Sequence, residues 1–328
     1  MKRALLFVLL AALASVSARA EDTPQSRLAV TPITVQVVDK DGPVGGAYLA
    51  VRGVAELPKS SVEGIVVIPP PFTLPAFTEV SATGTLPKRT NIANDLQAIR
   101  LWSLGYGVDP EDVLALVYAD PGTQKLHPLV LAPRVVYFDP AEDVRKVEGA
   151  MDAYRDVAAK AEVARNRNRR EEDPAFVVRI REEGETAPHG ALVVPVTMSS
   201  SMGSAGGATR WAVNGVVYSA SIRLRYYPDD KNPYIAVRDK GVFGHEAWHV
   251  LGAFEHALQR QQPFSNELNL MFASSTNRTG ELSAFEMDTL VEMYLRKPKT
   301  VWPDTDPDTL ITTATTVPHE TVYVCGGN

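Results

Sequence analysis

Three of the chain's six histidines fall within residues 244–256, GHEAWHVLGAFEH. His245 and His249 are four apart. On an α-helix, residues four apart lie one above the other, so both imidazoles can face one ion. Zinc takes an imidazole nitrogen at about 2.0–2.1 Å, and in hydrolytic sites it keeps a position open for water. Glu246 stands beside the first histidine and can reach such a water without binding the ion itself. The ion lowers the pKa of that water to about 7. A carboxylate so placed takes the proton and passes it to a leaving amine. The chemistry this spacing predicts is zinc-assisted hydrolysis of peptide bonds.

A hydrolytic site needs a third protein ligand. Gly252 follows His249 by three residues, and glycine ends helices in the left-handed conformation. The stop is a geometric necessity. If the helix ran on, His256 would lie about 10 Å along the axis from His249, at 1.5 Å per residue. A turn at Gly252 brings the chain back under the ion. His256 and Glu255 are the two nearby candidates for that third ligand. Glu267, Glu281 and Glu286 are the more distant carboxylates that could replace either.

The stretch resembles the metzincin zinc peptidases, whose pattern is H-E-x-x-H-x-x-G-x-x-H followed by a methionine turn. His245, Glu246, His249 and Gly252 match by position, and NLMFASSTNRTGELSAFEMDTLVEMY resembles the segment with that turn and the closing helix, most like the matrixin branch. The resemblance implies a twisted, mostly parallel sheet with an active-site helix and a C-terminal helix. It also implies that Met271 lies beneath the metal. The sequence departs from the pattern at one point: the third-ligand position is Glu255, with His256 one residue later. One inserted residue in the loop would restore a histidine ligand. A remote glutamate as ligand would instead place the chain in the clan that holds zinc by two histidines and a distant Glu. The competing class is a catalytically degenerate metal-binding protein that acts through its N-terminal domain.

The expected architecture is α+β, and the elements must set the helix and the closing segment against each other. Residues 21–131 carry short β-branched runs such as ITVQVVDKDGPVGGAYLAVRG, broken by turn signals, and read as a small β-sandwich. They resemble the carboxypeptidase-regulatory-like β-domains of secreted hydrolases. VLALVYADPGTQKLHPLVLAP reads as a further hairpin there, while NDLQAIRLWSLG fits either a helix or a strand. Residues 132–300 read as the metallopeptidase domain. PRVVYFD is a strand, and Val144, Val147, Met151 and Tyr154 mark an amphipathic helix. AFVVRIREE, GALVVPVTM and GVVYSASIRLRYY are strands, and SSSMGSAGGA is a flexible loop. The histidine helix is expected from about Val242 to Leu251, and a last helix starts at Ser283 with Glu286 completing a capping box. Residues 301–328 read as a Thr/Pro/Asp-rich tail, with Asp304, Asp306 and Asp308 in a solvated turn rather than a calcium loop.

The 328 residues, 45% apolar, are enough to bury one large core or two ordinary ones. Residues 1–20, MKRALLFVLLAALASVSARA, read as a signal peptide cut before Glu21, which predicts a secreted or periplasmic chain with no membrane anchor after cleavage. Cleavage takes the formal charge from −6 to −9. That charge disfavours nucleic acid and anionic membranes as partners, and leaves protein or peptide substrates. Cys325 is the only cysteine, so no disulfide can form within the chain. It reads as an incidental thiol. Asn277-Arg278-Thr279 is a glycosylation sequon, and His127, His189 and His319 stand alone as structural or exposed residues.

Overall fold

A computed structural model describes residues 26–104, 108–117, 134–167, 175–213, 216–252, 256, 270–271, 277–296, 300, 304–306 and 320–325. The chain is a mixed α+β protein. Its first part is a series of short strands: β1 (Arg27–Ala29), β2 (Ile33–Val38), β3 (Tyr48–Val51), β4 (Ile65–Ile68), β5 (Phe72–Leu74), β6 (Ala76–Ser81), β7 (Thr85–Leu86), β8 (Lys88–Ile92), β9 (Gln97–Arg100) and β10 (Trp102–Ser103). Alternation drives them. In β2 every second residue of ITVQVV is buried, as expected for a strand with one face on a core. Two three-stranded sheets, ordered β4-β2-β9 and β3-β6-β8, share that core, which includes Val35, Leu49, Val66, Val80 and Ile99. The undecided segment NDLQAIRLWSLG thus supplies two strands, β9 and β10.

The hairpin expected from Val113 onward begins instead as helix α1 (Pro110–Val117). Its start signal lies just upstream. Pro110 fits the first helical turn, and the Glu111 amide donates to the Asp109 carboxylate at 2.9 Å. Glu111 and Asp112 complement the helix dipole. Residues 118–133, the rest of that hairpin, lie outside the described residues.

Next come β11 (Val135–Pro140), α2 (Glu142–Arg145), α3 (Ala150–Asn166), β12 (Val177–Ile180), β13 (Leu192–Ser199), β14 (Gly206–Val213) and β15 (Val216–Arg225). Helix α4 (Lys240–Leu251) carries His245 and His249, α5 (Ala284–Tyr294) follows, and β16 (Glu320–Cys325) is last. The single amphipathic helix expected over 142–164 is two helices, α2 and α3, and Met151 is only partly buried. A six-stranded sheet runs β12-β11-β13-β15-β14-β16. The first four strands are parallel, β14 is antiparallel to β15, and β16 is antiparallel to β14. Two readings change here. Gly206 and Gly207, expected in a flexible loop, open β14, and residues 320–325, expected in a tail, pair with it from Ala208↔Cys325 to Val213↔Glu320. The pairing partners are more than a hundred residues apart, so no local pattern announces them.

The supposed solvated turn is also different. Asp304 is fully buried, and Asp306 sits beside it. Lys88 donates to Asp304 at 3.1 Å and to Asp306 at 2.6 Å, and Arg296 forks onto both oxygens of Asp304 at 3.2 and 3.1 Å. Arg296 also reaches Glu292 at 2.8 Å. Two cations leave no room for calcium chemistry at these carboxylates. The cluster instead ties β8 to the end of α5. Asp308 lies outside the described residues. Asn277 of the sequon is buried, with its side chain bonded to Glu281 and Thr279, so it offers no acceptor surface. His189 is exposed.

Candidate metal centre

Helix α4 is anchored before it does any chemistry. The Asp239 carboxylate caps its start, accepting from the Gly241 amide at 2.8 Å and the Val242 amide at 3.3 Å. Phe243 is held on two sides: it stacks on Tyr154 of α3 with centroids 3.9 Å apart and meets Phe138 of β11 edge-on at 5.4 Å. The Tyr154 hydroxyl donates to the Val237 carbonyl at 2.6 Å. From Phe243 to Leu251 every residue of α4 is buried, which marks a helix enclosed on all sides. At its far end Gly252 has φ +138, a conformation that favours glycine. The helix therefore stops three residues after His249.

Past that stop the chain returns. The Nε2 atoms of His249 and His256 lie 3.0 and 3.1 Å from Nε2 of His245. A ligand nitrogen from each of the three lies within 4.8 Å of the others. Tetrahedral zinc with bonds of about 2.0–2.1 Å would hold two nitrogens about 3.3–3.4 Å apart, close to this spacing. The ring Nδ1 of His245 lies 2.6 Å from the Leu270 carbonyl, which can only accept. Nδ1 therefore carries the proton, and Nε2 presents a lone pair to the cluster. Burial pushes His245 down to about 4 and lowers His256 as well, which favours the neutral form that a ligand needs.

Glu246 is 4% exposed, and burial pushes its carboxyl up to about 8. Its Oε2 is buried with no hydrogen-bond partner among the described residues. A buried carboxylate oxygen in that condition fits a site that a water is meant to enter. The donor set therefore fits zinc: three imidazole nitrogens converge, and an acceptor waits beside them.

The other candidates separate. Glu281 is on the surface, paired with Lys160 at 2.8 Å. Glu286 is fully buried but committed: it accepts the amides of Leu270 at 3.0 Å, Met271 at 2.6 Å and Ser283 at 2.8 Å, the last as part of the expected capping box. Neither joins the histidines. Glu255 and Glu267 lie outside the described residues. Met271 is fully buried, one residue past the carbonyl that holds His245.

Of four further contributors, only Glu286 is marked in the sequence, by its capping box. Gly206 of β14 lies against Glu246, where a Cβ would stand 2.7 Å from Oε1. Arg210, on the same face of β14, donates to the His249 carbonyl. The Tyr294 hydroxyl of α5 donates to the Leu251 carbonyl. Glu286 acts at one remove, through Leu270. The only other hint was the alternation Gly206, Ala208, Arg210, Ala212, three small residues and one cation on one face of a strand.

No family model matches the chain, and no curated protein matches it. Two crystal structures of type II cohesin–X-dockerin complexes from Acetivibrio cellulolyticus show a partial likeness. For the complex with an N-terminal interface mutation, identity is 13% and the TM-score 0.20, over 29% of this chain and 80% of that chain. For the one with a C-terminal interface mutation the values are 10% and 0.21, over the same shares. Similarity at that level carries no argument about fold or activity, so the site's own geometry is the ground for the functional reading.

Proposed function

We propose that the chain is a secreted or periplasmic zinc-dependent endopeptidase of metzincin type, with a β-sandwich domain in front of the catalytic one. The observation that carries this reading is the convergence of His245, His249 and His256 with buried Glu246 beside them. His245, His249 and His256 would hold the ion. Zinc bound there supplies an acidified water and a Lewis acid for the scissile carbonyl. Glu246 accepts the proton of the attacking water at its free oxygen and returns it to the amine that leaves. The Leu270 carbonyl keeps His245 in the tautomer that binds. Burial around α4 keeps competing water away.

A binding protein with a silent metal site is the competing class. Such a protein gains nothing from a buried carboxylate with an open oxygen, which is a liability for folding. No described helix is long and apolar enough to cross a membrane. The test is direct. The purified chain should contain one zinc, cleave a mixed peptide library, and lose cleavage on chelation. Glu246→Ala should keep the metal and lose activity by orders of magnitude. A metal-free chain, or a Glu246→Ala variant as active as the parent, defeats the reading.

A further inference from the structure

The last four carbonyls of an α-helix have no partner within it. In α4 they belong to Trp248, His249, Val250 and Leu251. The Trp248 carbonyl accepts the Gly252 amide at 3.0 Å. The His249 carbonyl accepts from the guanidinium of Arg210, and the Leu251 carbonyl from the hydroxyl of Tyr294. The two donors come from different elements, β14 and α5. Both are fixed. Arg210 is 1% exposed, and the Tyr294 ring is covered by the Arg165 guanidinium, 4.8 Å from its centroid. Met293 and Tyr294 also close over Gly252: a Cβ there would lie 2.3 Å from the Met293 Cε and 3.5 Å from the Tyr294 hydroxyl.

We propose that Arg210 and Tyr294 are positioning residues for the third histidine. They fix where the chain leaves α4, and so where His256 arrives. The inference rests on the metal reading above and deepens it. His256 is four steps along the chain from Gly252, enough to span about 13–14 Å when extended. A segment of that reach can deliver an imidazole to many points, so its length alone cannot place the ring. Its point of departure can. That point is the Leu251–Gly252 junction, which Tyr294 holds directly and Arg210 holds through the preceding turn.

Charge gives the proposal a sign. Arg210 is a buried cation whose guanidinium bonds a residue that binds a dication. By electrostatics alone, removing it should favour the metal. A positioning role predicts the reverse. Zinc affinity is measured by competition with a chromophoric chelator, and coordination by the visible spectrum of the cobalt-substituted chain. Arg210→Met and Tyr294→Phe should each weaken zinc about 10- to 100-fold, the usual effect of losing a group that orients a ligand. Both should dim the cobalt bands of a four-coordinate site. Arg210→Lys, which keeps a donor, should recover part of the loss. Tyr294→Phe removes one oxygen and keeps the ring, so it stays informative if Arg210→Met folds poorly. In a His256→Ala background, Tyr294→Phe should cause no further loss, because the ligand it serves is gone.

Three results overturn the proposal alone: both single variants bind zinc like the parent, Arg210→Met binds it more tightly, or Tyr294→Phe costs as much without His256 as with it. A parent chain that binds neither zinc nor cobalt overturns the metal reading itself, and this inference with it.

Discussion

Replacing Gly206 by alanine adds one methyl group against Glu246, the proposed general base. The new Cβ would stand 2.7 Å from Oε1 of Glu246, 2.8 Å from its Cγ and 3.0 Å from its Cδ. Carbon atoms at rest are about 3.5–4.0 Å apart, so the Cγ contact is short by about 0.7 Å or more. Rotating the carboxylate relieves Oε1 and leaves Cγ where it was. Relief needs either a new χ1 for Glu246 or a shift of α4 away from β14. Glu246 is 4% exposed and has no solvent to swing into. The helix is enclosed from Phe243 to Leu251. Overpacking of this kind costs about 1–3 kcal/mol. At about 2–4 °C per kcal/mol for domains of this size, Tm should fall by roughly 2–12 °C.

Activity should fall further than stability. A reacting group displaced by about 1 Å loses about a hundredfold in rate. The expected result is a kcat/KM about a hundredfold below the parent, with the loss mainly in kcat and zinc content unchanged. Assays well below Tm, on protein with its zinc measured, separate displacement from unfolding. Glu246→Asp removes one methylene and should restore the Tm of the Gly206→Ala chain without restoring its activity, because the carboxylate then falls short of the water. A Gly206→Ala variant with parental Tm and parental kcat/KM would refute the contact and the role given to Glu246 together.

Three further outcomes follow from the same contacts. Glu286→Gln turns one acceptor of three buried amides into a donor, so it should cost about 1–3 kcal/mol on urea denaturation; because the Leu270 carbonyl then loosens from His245, zinc affinity should fall about 10- to 100-fold, and an unchanged affinity would cut that link. Asp304→Ala leaves Arg296 and Lys88 buried without their shared carboxylate, which should cost about 3–5 kcal/mol in thermal or urea unfolding while zinc content stays the same. His256→Ala should lose zinc to a moderate chelator and Glu281→Ala should keep it; the opposite pattern would move the third ligand to the remote glutamate.

The elements that can be read from the sequence are those whose cause is local. Alternation in ITVQVV gives β2, and Ser283 with Glu286 gives the start of α5, because each signal spans a few residues. Helix α1 carries an equally local signal in Asp109 to Asp112. The Asp120-Pro121-Gly122 turn downstream outweighs it when the segment is read as one hairpin. Strand β16 is different in kind. Nothing in ETVYVC says that its partner is β14, since the pairing is set by a free sheet edge formed by residues far back in the chain. Asp304 and Asp306 mislead for the same reason: three aspartates at every second position look solvated until Lys88 and Arg296 are brought to them.

The site divides along the same line. His245, Glu246 and His249 are fixed by helix geometry over five residues, and Gly252 by a φ of +138 that favours glycine. The third nitrogen is where local reasoning stops. Sequence spacing leaves Glu255 and His256 side by side, and a one-residue difference in a loop is no constraint. What brings His256 to His245 is the direction in which the chain leaves α4, and that direction belongs to Arg210, in the middle of β14, and to Tyr294, at the end of α5. The same strand that steadies His249 at Arg210 carries Gly206 against Glu246, four residues earlier on the same face. The candidate site can thus be named from five residues of helix, while the arrival of His256 depends on contacts from β14 and α5, and the surroundings of Glu246 on β14, that no motif announces.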